Sequence, residues 1–275
     1  MSKFLSYFRV KHLPHIWCPG CGHGTVVGAL VRAIDKVGLK KEKTVIVSGI
    51  GCSSRAPGYL DFDTLHTTHG RALAFATGVK LSRPELNVIV ITGDGDLAAI
   101  GGNHLIHAAR RNIDITTVCF NNSIYGMTSG QYSPLTPLGS YATTSPYGSL
   151  DRPFDLSALV AAAGAPYVGR ATTYHVTLLI DLIAEALTIK GFSFVEAITQ
   201  CPTYFGRKNK MGDAVRMLDY FKENSVNVKA LDRLPPEERE NKIVIGRLMK
   251  KEAPEYAESY LDLVDRLRSQ GGDGR

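Results

Sequence analysis

The stretch Val88-Ile89-Val90-Ile91-Thr92-Gly93-Asp94-Gly95-Asp96-Leu97-Ala98 reads as a buried strand, a glycine turn and the first turn of a helix. Similar apolar, β-branched runs occur at residues 44–50, 115–120 and 194–198. Segments with the apolar period of a helix separate these runs, at residues 24–37, 71–81, 97–111 and 175–189. The alternation predicts an α/β fold with three layers, in which helices cover both faces of a mostly parallel sheet.

The composition is that of a folded globular protein. Of 275 residues, 44% are hydrophobic and 21% are charged, which excludes a disordered chain, collagen and a coiled coil. The character of the sequence changes towards the end, so we predict one domain over residues 1–225 and a C-terminal extension over residues 226–275. The extension is expected to dock on its own domain or on a partner subunit. Residues 123–151, rich in Gly, Ser, Thr, Pro and Tyr, are predicted to form a long functional loop.

The charge balance and the apolar runs limit the kinds of partner. Lys and Arg number 32 against 26 Asp and Glu, and the net charge of +6 favours acidic partners. The cations are spread along the chain, so nucleic acid binding is not predicted. We find no signal-peptide core and no apolar run long enough for a membrane helix, which predicts a soluble, cytoplasmic protein without a membrane partner.

The glycine turn resembles a nucleotide site but carries the wrong charge for one. Gly93-x-Gly95-x-x-Ala98 matches the dinucleotide fingerprint, which taken alone suggests NAD. Asp94 and Asp96, however, place two carboxylates where a pyrophosphate would meet the helix amides, and that contact is repulsive. A divalent cation removes the conflict, because Mg²⁺ takes oxygen ligands and bridges carboxylate to phosphate.

The end of the next predicted strand offers a second ligand. Asn121-Asn122 follows residues 115–120, and adjacent parallel strands end at the same edge of a sheet, so Asp94 and Asn122 can share one ion. The combination resembles the thiamine diphosphate motif. This resemblance implies that Asp94, Asn122 and the backbone carbonyl of Ile124 bind Mg²⁺. The alternative is a surface turn and an Asx-rich strand end without a ligand.

Five cysteines in a chain without a secretion signal favour metal binding, redox chemistry or simple burial over disulfides. Cys18 and Cys21 form a CxxC pair, and Cys52 and Cys201 each follow a predicted strand, so these four can converge on a metal centre. Cys119 lies inside an apolar strand and is predicted to be a buried small hydrophobe. A four-cysteine zinc site and a thioredoxin-type dithiol remain alternatives, since ligand count does not separate zinc from an iron–sulfur cluster.

Several motifs occur together and in order: Cys18-Pro19-Gly20-Cys21-Gly22-His23-Gly24, Gly51-Cys52-Ser53, His69-Gly70-Arg71, the Gly93 turn, Tyr125-Gly126-Met127-Thr128-Ser129-Gly130-Gln131 and Cys201-Pro202. Together they resemble the beta subunit of 2-oxoacid:ferredoxin oxidoreductases, over roughly residues 12–225. The resemblance implies a thiamine diphosphate-binding fold and one 4Fe-4S cluster bound by Cys18, Cys21, Cys52 and Cys201. One departure is Ser129, where related sequences often have Gly or Lys.

The same resemblance implies which residues contact thiamine diphosphate: Ile50, Gly51, Cys52, Ser53, His69, Gly95, Asp96, Gly126 and Met127. His69 is expected beside the cofactor in a catalytic role. A structural, hydrogen-bonded buried histidine is the alternative.

The activity implied is oxidative decarboxylation of a 2-oxoacid to acyl-CoA and CO₂, with electrons passed through the cluster to ferredoxin. Such enzymes use a glutamate hydrogen-bonded to the aminopyrimidine ring, and no second domain here matches its source. The resemblance therefore implies an alpha subunit, a dimer of heterodimers, and coenzyme A as a further ligand. The net charge predicts a basic docking face for an acidic ferredoxin.

The expected substrate is 2-oxoglutarate, because residues 127–131 are more similar to enzymes of that type than to pyruvate enzymes. Arg55, three residues past Cys52, is the candidate to clasp the distal carboxylate. The alternative is a surface arginine, or one that contacts coenzyme A or the partner subunit. A pyruvate or broad-range enzyme is the alternative within the family. A zinc-stabilised, non-enzymatic binding module is the alternative outside it.

Overall fold

The computed structural model describes residues 3–239 and 242–271. The strands are β1 (Thr44–Ser48), β2 (Asp63–His66), β3 (Asn87–Gly93), β4 (Thr116–Asn121), β5 (Ile124–Tyr125), β6 (Gln131–Tyr132), β7 (Tyr167–Thr172), β8 (Ser193–Ile198), β9 (Ser225–Asn227) and β10 (Ile243–Lys250). The helices are α1 (His23–Val37), α2 (Ala72–Ser82), α3 (Asp94–Ala98), α4 (Gly102–Arg110), α5 (Leu156–Ala162), α6 (Val176–Ala186), α7 (Ala214–Asn224), α8 (Pro236–Arg239) and α9 (Tyr256–Gly271). In the described ranges no helix is both long and apolar enough to span a membrane.

One large sheet organises the described part of the chain. Its eight strands run in the order β2-β1-β3-β4-β8-β7-β10-β9. All neighbouring pairs from β2 to β7 are parallel, and only β10 runs antiparallel to its neighbour β7. The predicted mostly parallel sheet is confirmed. The carboxyl ends of β1, β3, β4 and β8 therefore meet at one edge, where the predicted ligands lie.

Helices cover both faces, as predicted. Successive residues of a strand point to opposite faces, so Ile89 packs with α1 and α6 while Val90 packs with α2, α4 and α5. The apolar face of α1 is fully buried through Leu30 and Ile34. Burial on both faces explains why the central strands read as continuous apolar runs.

The structure corrects the predicted helix over residues 97–111, which is two helices. The chain folds back between α3 and α4, and a Cβ on Gly101 would lie 2.5 Å from the Asp96 carbonyl oxygen and 2.8 Å from that of Leu97. Only glycine fits this approach. Because of this break, α3 starts at the carboxyl end of β3, whereas α4 packs against one face of the sheet.

The C-terminal segment extends the same sheet. β10 pairs with β7, and the short β9 pairs with β10. The following helix α9 is held at its start, where the Asn112 side chain donates to the carbonyls of Ala253 (3.2 Å) and Pro254 (2.8 Å). The division into domains at residue 225 stays a prediction.

Candidate active site

A cavity of about 330 Å³ lies at the carboxyl ends of β1, β3 and β4. The structure brings to its wall every residue predicted to contact thiamine diphosphate and all three predicted Mg²⁺ ligands: Ile50, Gly51, Cys52, Ser53, His69, Gly95, Asp96, Gly126, Met127, Asp94, Asn122 and Ile124. Sequence reasoning missed other wall residues, among them His23, Phe120 and Gln131. His23 and Gln131 lie within the quoted motifs, but neither their charge nor their spacing indicated a contact with a ligand.

Three oxygen-bearing groups meet at one point of this wall. The end of the Asn122 side-chain amide lies 3.0 Å from Asp94 Oδ1 and 2.7 Å from the Ile124 carbonyl oxygen. With the amide oxygen on this side, three oxygens face one another without a hydrogen between them; with the amide turned over, its nitrogen donates to both. Adjacent ligand oxygens in a Mg²⁺ octahedron lie about 2.9 Å apart. The donor set and its spacing therefore fit Mg²⁺.

The Asp94 carboxylate is buried in a way that favours a cation beside it. The residue is 2% exposed, and burial raises its pKa to about 7 although hydrogen bonds, first that of Ser133, lower it. The Ser133 hydroxyl, directly after β6 in the long loop, donates to Asp94 Oδ2. Its contribution had no sequence signal, since the two residues are brought together only by the folded loop. A bound cation would offset the cost of burying this charge.

The Asp96 carboxylate is held by hydrogen bonds from the loops after β1 and β2 and from β3, and it is not one of the three groups at the proposed Mg²⁺ site. Its carboxylate accepts hydrogen bonds from Ile50 N (3.2 Å), Gly70 N (2.7 Å) and Thr92 Oγ1 (2.8 Å). A Cβ on Gly49 would lie 2.1 Å from Asp96 Oδ2, so this approach requires glycine. Asp96 therefore fastens the loops after β1 and β2 to β3.

His69 stands at the cavity wall beside this carboxylate. Its Nδ1 lies 2.8 Å from Asp96 Oδ1, in a contact whose angle is poor for a hydrogen bond. Its ring centroid lies 5.9 Å from that of Tyr125, and 38% of the side chain is exposed. Asp96 and Tyr125 thus flank the ring, and part of it stays open to a ligand.

The segment 124–132 forms a short hairpin that closes the cavity. The Tyr125 hydroxyl donates to the Gly95 carbonyl (2.9 Å), and a Cβ on Gly95 would lie 2.3 Å from the Tyr125 ring. The hairpin turns at Ser129 and Gly130, both in the left-handed region with φ of 88° and 89°. Glycine adopts this conformation without strain, whereas Ser129 does so at some cost.

Cys52, on the cavity wall, and Cys201 approach each other beside Gly126 of this hairpin. A Cβ on Gly126 would lie 3.3 Å from Cys52 Sγ and 3.9 Å from Cys201 Sγ. Burial, together with the nearby Cys201, Cys52 and Cys18, raises the pKa of the Cys21 thiol to about 12. Burial likewise raises the pKa of Cys52 to about 11. The four predicted ligands are therefore gathered in one partly dry region, where four thiolates need positive charge to coexist.

Backbone donors are already aimed at three of these sulfurs. Cys21 accepts a hydrogen bond from the His23 N–H, and Cys52 accepts one from the Met127 N–H. Cys201 accepts from the N–H groups of Tyr204 and Phe205. Such bonds favour the thiolate and are a means by which proteins tune iron–sulfur clusters. The sulfur environment therefore fits a cluster.

Within residues 3–239 and 242–271, no group of three or more His, Cys, Asp or Glu side chains is arranged to hold one metal ion. In a 4Fe-4S cluster each cysteine binds a different iron atom, so the four sulfurs lie farther apart than the ligands of a single metal ion. A four-cysteine zinc site instead needs all sulfurs about 2.3 Å from one point.

Cys119 and Arg55 lie apart from the cavity wall. Cys119 is fully buried inside β4, which confirms the prediction of a small buried hydrophobe. Arg55 is exposed on a turn of 3-10 helix over Ser53–Gly58 and does not line the cavity. Its contact with a substrate carboxylate stays a prediction.

Comparison with known proteins agrees with this geometry. Residues 49–197 match the model of the thiamine pyrophosphate enzyme, C-terminal TPP binding domain. The chain is 55% identical to 2-oxoglutarate synthase subunit KorB of Methanothermobacter thermautotrophicus over 264 residues, covering 96% of this chain and 92% of that protein. It is 51% identical to the subunit of the same name of Methanocaldococcus jannaschii, covering 98% of this chain and 100% of that protein.

Among solved structures, the fold matches 2-oxoglutarate:ferredoxin oxidoreductase from Magnetococcus marinus, determined with 2-oxoglutarate, coenzyme A and succinyl-CoA bound. The TM-score is 0.86 at 35% identity, covering 96% of this chain and 90% of that chain. Since the domain match and the near full-length relatives agree with the motifs and the sheet, the chain belongs to the family of beta subunits of 2-oxoacid:ferredoxin oxidoreductases, of the 2-oxoglutarate type, and is part of an oxidoreductase.

Proposed function

We propose that this chain binds thiamine diphosphate with Mg²⁺ and one 4Fe-4S cluster, and that with an alpha subunit it oxidises 2-oxoglutarate to an acyl-CoA and CO₂ while reducing ferredoxin. The observation that carries the proposal is the shared wall at Gly126 and Met127. These residues line the cavity together with Cys52, whose sulfur accepts a hydrogen bond from the Met127 N–H and would lie 3.3 Å from a Cβ on Gly126. An electron donor in the cavity would therefore stand beside a predicted cluster ligand.

When bound, thiamine diphosphate supplies a carbanion for attack on the oxo carbon and holds the electrons left by loss of CO₂. Asp94, Asn122 and the Ile124 carbonyl would hold the Mg²⁺ that neutralises the diphosphate, which explains carboxylates at a helix amino end. The Tyr125 ring, fixed on Gly95, shapes the wall and keeps water from one side of the cavity. His69, whose Nδ1 lies 2.8 Å from Asp96 Oδ1, would present its ring to the reacting groups.

The cavity needs a second chain to be complete. In the described residues no glutamate lines it. The buried Glu196 is bound instead by Asn121 Nδ2, Ser157 Oγ and Arg170 Nε, each at 2.8 Å. The relatives are named as subunits, so an alpha subunit is the source we propose for the glutamate that meets the aminopyrimidine ring. A dimer of such heterodimers is the assembly we propose.

We expect the isolated chain to be inactive and its complex with the alpha subunit to be active. The measurement is 2-oxoglutarate-dependent reduction of methyl viologen with coenzyme A, by each chain alone and by the complex. This readout tests the proposed function without any protein electron carrier. Robust turnover by the isolated chain would show that the cavity needs no second chain.

The substrate is assigned from the names of the relatives and from the bound 2-oxoglutarate of the Magnetococcus enzyme. Arg55 is the cation of this chain proposed to read the distal carboxylate. Arg55→Ala is expected to raise KM for 2-oxoglutarate far more than for pyruvate or 2-oxobutyrate, since only the first loses a charge partner. Comparing kcat/KM for the three acids with and without Arg55 decides; an equal loss assigns selectivity elsewhere.

A further inference from the structure

Two of the three groups proposed to bind Mg²⁺, Asn122 and the Ile124 carbonyl, flank a residue that is held on both sides. This residue, Ser123, has φ of 58°, in the left-handed region that non-glycine residues seldom adopt. Its N–H donates to Asn121 Oδ1 at 3.1 Å, and its carbonyl oxygen accepts from Thr136 Oγ1 at 2.6 Å. These bonds fix the position of the segment after β4.

The third group, the Asp94 carboxylate, is bound by the hydroxyl of Ser133. This hydroxyl donates to Asp94 Oδ2, and its oxygen accepts from Leu135 N at 3.2 Å. Both partners are buried, each with 2% exposure. Ser133 lines a neighbouring cavity of about 500 Å³, so its hydroxyl reaches Asp94 from outside the active-site cavity.

The two oxygens of the Asp94 carboxylate therefore have different surroundings. Oδ2 accepts from Ser133, whereas Oδ1 lies 3.0 Å from the amide end of Asn122, among the three proposed ligand groups. The backbone N–H groups of Asn122, Asp94 and Gly95 also donate to the carboxylate and hold it in place. Asp94 thus offers one oxygen, Oδ1, to a cation at this point.

The number and spacing of the oxygens offered decide which divalent cation fits. Mg²⁺ needs a nearly octahedral set at about 2.1 Å, whereas Ca²⁺ takes about six to eight oxygens at about 2.4 Å and accepts both oxygens of one carboxylate. Adjacent ligand oxygens lie about 2.9 Å apart around Mg²⁺ and about 3.4 Å apart around an octahedral Ca²⁺. The observed separations of 3.0 and 2.7 Å fit the smaller ion.

From these contacts we infer that Ser133 determines the metal specificity of the site. By occupying Oδ2 it limits Asp94 to one ligand oxygen, which suits Mg²⁺ and denies the larger Ca²⁺ a bidentate carboxylate. Ser133 acts through Asp94 and is therefore a positioning residue. The inference rests on the proposed function, since it needs a cation to join Asp94 to thiamine diphosphate.

The test measures the binding of thiamine diphosphate to the assembled complex by calorimetry, after bound divalent ions have been removed with EDTA. Each complex is titrated once in excess Mg²⁺ and once in excess Ca²⁺. The ratio of the two dissociation constants, that with Ca²⁺ over that with Mg²⁺, measures the preference for Mg²⁺. A general loosening of the site weakens binding with both ions and leaves this ratio unchanged.

Ser133→Ala removes the hydroxyl, while the backbone N–H groups that hold the carboxylate remain. The matched control is Thr92→Val. It removes a buried hydroxyl that donates to Asp96 Oδ2 at 2.8 Å, in the same turn, but Asp96 is not a proposed Mg²⁺ ligand.

The unmodified complex is expected to bind thiamine diphosphate about tenfold more tightly, or better, with Mg²⁺ than with Ca²⁺. In Ser133→Ala this ratio should fall about tenfold, because a hydrogen bond to a charged group is worth a factor of about ten or more and both Asp94 oxygens become available to Ca²⁺. In Thr92→Val any loss of affinity should be equal for the two ions. If Ser133→Ala does not assemble, Ser133→Cys, whose thiol is a weak donor, should show the same fall.

An unchanged ratio without the Ser133 hydroxyl, or an equal fall in Thr92→Val, would overturn the inference. The two proposals fail separately in this design. If the unmodified complex binds thiamine diphosphate with neither ion, the proposed function is wrong. If it binds the cofactor but does not prefer Mg²⁺, or keeps its preference in the Ser133 variant, only the inference about metal specificity is wrong.

Discussion

Replacing Asp94 with alanine is expected to abolish Mg²⁺-dependent binding of thiamine diphosphate. Asp94 Oδ1 stands 3.0 Å from the amide end of Asn122, and with the Ile124 carbonyl it completes the oxygen set that fits Mg²⁺. Without the carboxylate the diphosphate loses its bridge to the turn. We expect at least a hundredfold loss of affinity, which is about 2.7 kcal/mol or more, measured by calorimetry on the assembled complex with Mg²⁺ present.

Two control variants sharpen this result. Asp94→Asn keeps the shape and removes the charge, so it should also bind poorly if charge on the metal is what matters. Asp63→Ala removes an exposed carboxylate at the start of β2 and should bind normally. Unchanged affinity in Asp94→Ala would show that the three oxygens are not the metal site.

Replacing Cys52 or Cys201 with serine is expected to remove the iron. The anaerobically purified protein should contain about four irons per chain, and each variant should lose them together with the broad visible absorbance. Both sulfurs accept hydrogen bonds from backbone N–H groups and lie close to Gly126. A serine oxygen at either position is a poor iron ligand, and because the Cβ–O bond is shorter than the Cβ–S bond it does not reach the position of the sulfur. The measurement is iron and sulfide analysis combined with the visible spectrum.

Cys119→Ser is the matched control. It makes the same change in a cysteine that is buried in β4, where the new hydroxyl costs about 1–3 kcal/mol of stability but touches no ligand. It should keep its iron. Stoichiometric zinc and no iron in the unmodified protein would instead support a zinc-stabilised binding module, because Zn²⁺ is colourless and redox-inert.

The parts of the fold that could be predicted are those encoded within single segments. The strands at residues 87–93 and 116–121 are continuous β-branched runs because both faces of the sheet are covered. β7 and β10 were not predicted, since Gly169, Arg170, Gly246 and Arg247 interrupt their apolar pattern. Arg170 is tolerated there because Glu196 and Asp155 pair with it.

In the site, too, positions that follow directly from a strand could be predicted, whereas contacts between distant segments could not. Asp94 and Asn122 could be predicted because each follows a strand, and parallel strands end at a common edge. For Asp96 the motif predicts a position beside the diphosphate. The structure shows in addition that its carboxylate accepts hydrogen bonds from Ile50 N, Gly70 N and Thr92 Oγ1, which the motif does not predict. Such bonds depend on how separate loops approach, which no spacing in the chain encodes.

Arg55 shows that a short spacing does not by itself place a side chain on the cavity wall, and its contact with the substrate stays a prediction. It follows Cys52 by three residues, which suggests a place near the cavity. The intervening chain enters a 3-10 helix over Ser53–Gly58, which carries Arg55 to the surface while Ser53 and Ser54 are buried.

Anaerobic addition of 2-oxoglutarate to the assembled complex tests most directly the claim that one chain holds thiamine diphosphate beside an iron–sulfur cluster. With thiamine diphosphate and Mg²⁺ bound, the substrate should bleach part of the visible absorbance and produce the electron paramagnetic resonance signal of a reduced cluster. In Asp94→Ala the same addition should leave the spectrum unchanged, although dithionite still reduces the cluster. A spectrum indifferent to 2-oxoglutarate in the unmodified complex, with the cluster intact and reducible by dithionite, would contradict the account.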